Sequence, residues 1–228
     1  MKFLNLDKVL CLSAHPDDTE YGVLGSMINF RSTYFDVVVL SNGGDFDKTT
    51  GDSRFSECQS IWSQLTNVKG ACLNYTCVKD SPEDFWVNHI ESKFDIKSYD
   101  AILTLPKHDS HFEHRMVSDF TYALVRRSKC SLIQYKSPST LDTWIPNFFV
   151  DIGVIESRDK KDGHSNQTHT LFMAGIWYIK VNRMKLFESQ QDKSYFEDQS
   201  LKSFHSNYQC SMRDMPRVES FKIIRGYN

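Results

Sequence analysis

The stretch "KVLCLSAHPDDTEYG", residues 8–22, joins a short apolar run to a cluster of polar side chains. The apolar run predicts a buried β-strand, because nearly all of its residues are apolar and it is too short for a typical helix. A histidine, a proline and two aspartates follow, and they suit neither a continuing strand nor the interior of a helix. The cluster is therefore either a turn rich in helix-capping residues or one half of a metal site.

Apolar runs and amphipathic stretches alternate along the chain from this first strand onward. The predicted strands are 8–14, 35–41, 71–77, 99–105 and 130–136. The predicted helices between them are 19–32, 52–65, 81–94 and 111–128. Strands separated by helices predict an α/β, Rossmann-like fold, in which helices cover both faces of a mainly parallel sheet.

The pattern changes towards the C-terminus. Residues 147–157 and 168–180 read as extended segments on either side of a polar turn, which predicts an added C-terminal β-hairpin. Residues 181–204 predict a mostly helical segment, and residues 217–226 predict a last strand. Because the sequence has no internal repeat and no linker, we expect one domain over residues 1–228.

The composition excludes several classes of protein. Hydrophobic residues make up 40% and charged residues 25%, as in ordinary globular domains. The net charge of −2 lacks the basic excess of a nucleic-acid-binding protein. No apolar run approaches the roughly 18 residues of a membrane span, and the N-terminus does not read as a signal peptide. Six cysteines without CxxC spacing indicate reduced, structural thiols, so we expect a cytoplasmic protein.

Three predicted loops lie at the edge of the sheet where open α/β proteins bind their ligands, outside the carboxyl ends of the strands. They are "AHPDD" after the first strand, "NGGDFDKTTG" (42–51) after the second and "PKHDSHFEH" (106–114) after the fourth. The unusual residues of the chain collect in these loops. The order of the elements therefore predicts that the polar groups of the first and third loops meet.

The third loop carries two histidines at helical spacing. His111 and His114 lie three positions apart, which places them on neighbouring positions of one helix face. With His15, Asp17 and Asp18 they form a set of nitrogen and oxygen donors that suits zinc, with a position left for water. Taken alone, the first loop reads as a helix cap and the histidine pair as surface residues. Their shared edge of the sheet favours the metal site.

Adjacent aspartates are useful in a metal hydrolase because two carboxylate roles are needed. One carboxylate binds the metal, and the other accepts a proton from the attacking water. A histidine beside the metal can polarise or protonate the substrate. Asp17, Asp18, His111 and His114 are the candidates for these roles.

The motifs that contain these residues resemble those of the PIG-L/LmbE-type de-N-acetylases. "AHPDDTEYGVLGSM" is similar to the opening motif of that family, and "HDSHFEHRMV" is similar to its D-x-H-x-D-H-R-x-V motif. "SNGGDFDKTTGDSRFSECQSIWSQL" resembles the glycine loop and Arg-x-x-Glu helix of the family. "WIPNFFVDI", "KLFESQQDKSYF" and "VESFKII" resemble C-terminal family segments, so the similarity covers almost the whole chain.

The resemblance implies a role for each residue of the two main motifs. His15, Asp18 and His114 would be the ligands of one zinc ion, for which another divalent metal can substitute. Asp17 would be the general base, and His111 would be the electrophilic or acid histidine.

The resemblance also implies substrate-binding residues, with Arg54 at the position of a family arginine and Asp80 and Gln190 near other family positions. Glu113 replaces the usual aspartate of the family. We expect its carboxylate to orient His111 or His114 without binding the metal.

Two further departures from the family pattern concern the substrate cleft. Asp109 stands where some members have a tyrosine two residues before the acid histidine. Residues 154–175 read as an insertion relative to the family. We expect this insertion to shape the cleft.

These features predict a zinc-dependent hydrolase that removes the acetyl group from a small N-acetylated amino sugar or its conjugate and releases acetate. An alternative is a related amidase that acts on a non-sugar N-acyl small molecule. A second alternative is a metal-bound but non-catalytic sugar-binding module. The presence of both Asp17 and His111 argues against that module, because metal binding requires neither residue.

Overall fold

A computed structural model describes residues 1–43, 48–153, 175–206 and 217–227. The strands in this part of the chain are β1 (Lys8–Ser13), β2 (Tyr34–Ser41), β3 (Val68–Tyr75), β4 (Ala101–Thr104), β5 (Ser131–Tyr135), β6 (Phe148–Asp151) and β7 (Val218–Arg225). The helices are α1 (Asp18–Asn29), α2 (Lys48–Trp62), α3 (Glu83–Lys93), α4 (Phe112–Val125), α5 (Ile176–Met184) and α6 (Asp198–Phe204). The strands form one sheet in the spatial order β3-β2-β1-β4-β5-β7-β6.

The predicted α/β class is confirmed by the pairing of the first five strands, all of which run parallel. β1 lies in the middle of the sheet between β2 and β4, and its residues from Val9 to Ser13 are all buried. Helices that cover both faces of a parallel sheet explain why β1 reads as a continuous apolar run. The same reason applies to the three consecutive valines of β2.

The predicted antiparallel C-terminal addition is confirmed, but the described part of its second predicted segment is a helix. β6 pairs with β7, and β7 in turn pairs with β5. Residues 176–180 begin α5, where Ile176, Lys180 and Met184 are buried at every fourth position, as in a helix. The rest of that predicted segment and the predicted insertion as far as residue 174 lie outside the described residues.

The helix predicted over 181–204 is interrupted. α5 ends at Met184, short 3₁₀ segments follow at Glu188–Gln190 and Ser194–Phe196, and α6 then begins. The Ser189 amide N–H and hydroxyl both donate to the carboxylate of Glu57 on α2, at 2.8 and 2.7 Å. We attribute the interruption to this contact, because it ties the chain to α2 where a continuous helix would bond to itself.

Two further expectations concern membranes and cysteines. Among the helices of the described residues, none combines the length and apolar character that crossing a membrane requires. Cys11, Cys58, Cys72 and Cys130 form no disulfide within the described part of the chain. Cys210 lies outside the described residues.

A buried histidine links α6 to the sheet. His205 is fully buried, and its Nδ1–H donates to the Val218 carbonyl at 3.0 Å while its own carbonyl accepts from Val218 N at 2.8 Å. Its Nε2 has no hydrogen-bond partner among the described residues, and Tyr21, Trp177 and Phe204 surround the ring. Burial, and next the positive charge of Lys180, lower the pKa of His205 well below its usual range. The folded protein therefore holds this ring neutral.

We predict that His205 makes the fold sensitive to acid. Because its pKa is lowered on folding, the unfolded chain takes up the proton first, so stability is lost as the pH falls below about 6.5. The expected contribution is about 1.4 kcal/mol per pH unit. Urea unfolding of metal-free protein between pH 5 and pH 8 should show a shallower acid dependence for His205→Asn than for wild type. The exposed His108→Asn serves as control, and parallel curves for wild type and His205→Asn would contradict the prediction.

Candidate functional site

The loops that follow the parallel strands meet at one edge of the sheet, as the sequence predicts. Contacts link the turn after β1 to α2, to the loop between β4 and α4 and to the first turn of α4. The loop after β5 contacts the same β4–α4 loop, with Ser110 N donating to Ser139 O at 2.9 Å. The candidate site is built from these segments.

The turn after β1 is strained at Asp17. Its φ of 125° and ψ of −28° lie in a region that side chains with a Cβ rarely adopt, and such strain concentrates at functional sites. Asp18 begins α1, and its Oδ2 accepts from the backbone N–H of His15 at 2.8 Å. This bond closes the turn and holds two adjacent carboxylates and a histidine together, although no side chain caps the N-terminus of α1.

Asp18 lies between two histidines from different loops. Its Oδ1 is 3.2 Å from His114 Nε2, and its Oδ2 is 3.6 Å from His15 Nδ1. On the far side of its ring, His114 Nδ1 is 3.2 Å from Asp109 Oδ2. Burial alone would lower the pKa of His114, but the carboxylates of Asp18 and Asp109 outweigh it and raise that pKa to about 10.

Glu113 orients a different histidine from the two expected. Its Oε2 accepts from His15 Nε2 at 2.7 Å, while its Oε1 accepts from the Lys79 amide at 2.8 Å. It does not pair with His114, because adjacent residues of a helix do not face each other, nor with His111, which precedes the helix. Since a carboxylate only accepts, the proton of neutral His15 lies on Nε2, and Nδ1 is left facing Asp18.

His111 differs from the other two histidines. Its side chain is exposed, and within the described part of the chain no hydrogen bond to its ring is found. Its ring stacks on His114, with centroids 4.5 Å apart, and meets His15 edge-on at 4.7 Å. Partial desolvation of the ring and the neighbouring His15 and His114 lower the pKa of His111 to about 4, so it is neutral at physiological pH.

Arg54 contacts the strained turn. Its Nη2 donates to Asp17 Oδ2 at 3.0 Å and to the Pro16 carbonyl at 2.9 Å. A Cβ on Gly43, which has a φ of 69°, would lie 2.2 Å from Arg54 Nη1, so glycine is required there. Burial raises the pKa of Asp17 to about 6, the charge of Arg54 opposes the rise, and that of Asp18 adds to it.

The three histidines can hold a metal ion. One ring nitrogen each from His15, His111 and His114 lies within 4.8 Å of the others. Imidazole nitrogens beside the Asp18 carboxylate are the donors that zinc prefers, so the residues fit this metal. His15 and His114 each turn one nitrogen towards Asp18, whereas His111 does not contact it.

The remaining predicted residues lie in different places. Asp80 is exposed at the end of the 3₁₀ segment Val78–Asp80. Gln190 is buried, and its Nε2 donates to the carbonyl and hydroxyl of Ser189 at 2.9 and 3.1 Å. Of the three predicted substrate-binding residues, only Arg54 contacts the histidine–carboxylate group through its bond to Asp17.

Sequence reasoning missed the contacts of Asp109 and the loop after β5. Asp109 is only 1% exposed and accepts from the hydroxyls of Ser137 and Ser139 at 2.5 and 2.6 Å. A signal for this loop exists in the sequence. β5 is a parallel strand like β1 and β4, so the sheet-edge rule places the loop that follows it at the same edge.

The fold and the site together define an α/β protein with a group of histidines and carboxylates that could hold a metal ion, at the carboxyl edge of its sheet. No protein-family model matches the chain, and no curated protein sequence matches it.

Solved structures share its fold along nearly its whole length. N,N'-diacetylchitobiose deacetylase from Pyrococcus horikoshii is 20% identical over 98% of this chain and 86% of that chain, with a TM-score of 0.69. The zinc-inhibited form of teicoplanin deacetylase Orf2 is 10% identical over 94% and 96%, with a TM-score of 0.59. GalB, the 4-carboxy-2-hydroxymuconate hydratase from Pseudomonas putida KT2440, is 10% identical over 100% and 98%, with a TM-score of 0.67.

These similarities confirm the fold that the LmbE-like resemblance predicts. This chain shares the fold of these two deacetylases over 98% and 94% of its length. Because a hydratase shares that fold, the architecture alone does not determine the reaction. The reaction must be argued from the side chains of the site.

Proposed function

We propose that this protein is a zinc-dependent N-deacetylase that hydrolyses the acetamide of a small N-acetylated amino sugar or of its conjugate. The observation that carries the proposal is the position of Asp18 between His15 and His114, with the strained Asp17 beside it. A separate carboxylate next to the ligands is what hydrolysis requires and what simple metal binding does not.

His15, Asp18 and His114 would hold the zinc ion. When bound, zinc would supply Lewis-acid polarisation of the amide carbonyl and would acidify water at the site. Asp18 has two oxygens directed at two different histidines, so one carboxylate would link both ligand-bearing loops. This leaves Asp17 and His111 outside the ligand set and available to the substrate.

Asp17 would act as the general base. Arg54 fixes the position of its carboxylate, and a pKa raised to about 6 brings its basicity close to neutral pH, where proton transfer is most efficient. Asp17 would remove a proton from the attacking water, and the proton would pass to the amine nitrogen as the carbon–nitrogen bond breaks. His111, neutral and exposed, would donate a hydrogen bond to the oxygen that gains negative charge.

The sugar part of the proposal has separate support. The neighbour from Pyrococcus horikoshii is a diacetylchitobiose deacetylase, and another acts in the teicoplanin pathway. The shared hydratase fold keeps an amidase for non-sugar N-acyl compounds as the alternative substrate class. We place the protein in the cytoplasm because its structural cysteines, such as Cys11 and Cys58, form no disulfide among the described residues.

The test is acetate release by the purified, zinc-loaded protein. The substrates are a panel of N-acetylhexosamines, their nucleotide and lipid conjugates, and non-sugar N-acetyl amines of similar size. Faster turnover of the sugars supports the proposal, whereas faster turnover of the non-sugar amides favours the alternative. A protein that binds zinc and sugars but releases no acetate from any compound would be a binding module.

His114→Ala is expected to abolish tight zinc binding and acetate release together. The ring would supply one of the zinc ligands. Its removal should therefore weaken zinc affinity by more than the about 100-fold that follows removal of a residue holding a ligand in place. Chelator competition measures the affinity, and His89→Ala, which changes a half-buried histidine on α3, is the control. Unchanged zinc affinity in His114→Ala would show that the metal is held elsewhere.

A further inference from the structure

Asp109 is a buried carboxylate whose hydrogen bonds come from two loops. Ser137 and Ser139, after β5, donate their hydroxyls to its Oδ2 and Oδ1 at 2.5 and 2.6 Å. The backbone N–H of His111 donates to Oδ1 at 2.8 Å. Thr140 Oγ1 makes a longer contact of 3.4 Å to Oδ2. These donors compensate for the loss of water around the charge.

The same carboxylate faces the ring of His114. Asp109 Oδ2 lies 3.2 Å from His114 Nδ1, and Ser139 Oγ lies 3.1 Å from the same nitrogen. An ionised carboxylate can only accept hydrogen bonds, so Nδ1 must carry the proton. The opposite nitrogen, Nε2, is the one directed at Asp18 at 3.2 Å. The contact therefore fixes both the tautomer and the direction of the ring.

Hydrogen bonds fix the loop after β5 beside Asp109. Ser137 N donates to Thr140 Oγ1 at 2.8 Å, and Ser110 N donates to Ser139 O at 2.9 Å. The turn is thus bonded both to itself and to the β4–α4 loop. These contacts hold the backbone that presents both serine hydroxyls to Asp109.

We propose that Asp109 is a positioning residue for His114, supported by Ser137 and Ser139, and that it sets the affinity of the site for zinc. The inference rests on the proposed function, in which His114 is a zinc ligand. Carboxylates that hold the far nitrogen of a ligand histidine fix its tautomer and raise its basicity. Asp109 would act through His114 and would touch neither zinc nor substrate.

The test is Asp109→Asn, which keeps the shape of the side chain but removes its charge. Zinc affinity measured by chelator competition is expected to fall by about 10- to 100-fold. In the zinc-loaded protein, ¹H–¹⁵N spectra should show the His114 Nδ1–H proton far downfield in wild type and shifted upfield in the variant. A purely structural role for Asp109 would not move that signal. Asp84→Asn, the same chemical change at an exposed position of α3, is the control and should match wild type.

Two outcomes would overturn the inference: wild-type zinc affinity in folded Asp109→Asn, or an unmoved Nδ1–H signal. If Asp109→Asn does not fold, Ser139→Ala replaces it, because it removes one donor to Asp109. Weaker zinc binding by Ser139→Ala then supports the inference, and unchanged binding overturns it. Failure of the proposed function would look different. Either the wild-type protein would release no acetate in a zinc-dependent way, or the His114→Ala variant would still bind zinc.

Discussion

Replacing Asp17 with asparagine is expected to lower kcat for acetamide hydrolysis by about 10²- to 10⁴-fold while zinc stays bound. The amide cannot accept the proton that the carboxylate takes from water. Its oxygen can still accept from Arg54, which now holds Asp17 Oδ2 at 3.0 Å. Asparagine also tolerates positive φ better than most residues, so the turn at φ 125° should survive. Acetate release and zinc content are measured on the same preparation.

The two measurements together separate the roles of the adjacent aspartates. Loss of turnover with full zinc content would identify Asp17 as the proton acceptor and would leave Asp18 as the zinc ligand. Loss of zinc as well would make Asp17 a ligand, and near-wild-type turnover would remove it from the mechanism. Asp84→Asn, an exposed change in the first turn of α3, controls for the loss of one negative charge.

Much of the site could be predicted because a parallel sheet brings together the loops that follow its strands. The turn carrying His15 and the loop carrying His111 and His114 are far apart in sequence, yet β1 and β4 are neighbours in the sheet. Only the order of strands and helices is needed to expect this. The residue types in the loops then indicate the chemistry.

The partner of Glu113 could not be predicted in the same way. Glu113 and His114 are adjacent in sequence, but the helix directs their side chains to different neighbours. Glu113 reaches His15 on another loop, and its second oxygen is held by a backbone N–H of Lys79. A contact of this kind depends on side-chain direction in three dimensions, which a motif does not contain.

The prediction for the C-terminal part was incomplete for a different physical reason. A short apolar run has no period that distinguishes a strand from a buried helix, so residues 176–180 of α5 read as strand. The partner of β6 is decided by which sheet edge is open. That edge belongs to β7, whose sequence position is far from β6. Local sequence therefore indicated the antiparallel character correctly, whereas residues 176–180 are helical and not extended.

A buried ion pair connects this C-terminal part to the helix that carries Asp18. Lys180 Nζ on α5 lies 2.6 Å from Glu219 Oε1 on β7, and both side chains are fully buried. Glu219 also accepts from the backbone N–H groups of Gly25 and Ser26 on α1, each at 2.7 Å. Lys180 donates to the Tyr21 carbonyl of the same helix at 2.6 Å. The pair thus fixes α1 against α5 and β7.

α1 packs closely against Ile152 and Glu219 at Gly25. A Cβ on Gly25 would lie 2.7 Å from Ile152 Cγ2 and 3.0 Å from Glu219 Oε1. α1 therefore approaches Glu219 closely only because Gly25 has no side chain. Burial lowers the pKa of Lys180, although Glu219 opposes this, so removal of the carboxylate would leave a costly unpaired cation.

Breaking this pair is expected to cost about 3–5 kcal/mol of unfolding free energy in either Lys180→Ala or Glu219→Ala, measured by urea unfolding. That is a large part of the about 5–15 kcal/mol that stabilises a typical domain. The double variant Lys180→Met/Glu219→Leu should be more stable than either single variant, because no buried charge is left without a partner. Lys107→Ala, which breaks a solvent-exposed pair with Asp119 of 2.8 Å, should leave the unfolding curve nearly unchanged. Single variants at Lys180 or Glu219 as stable as Lys107→Ala would contradict the assignment. The interior pair would then add nothing to the docking of α1.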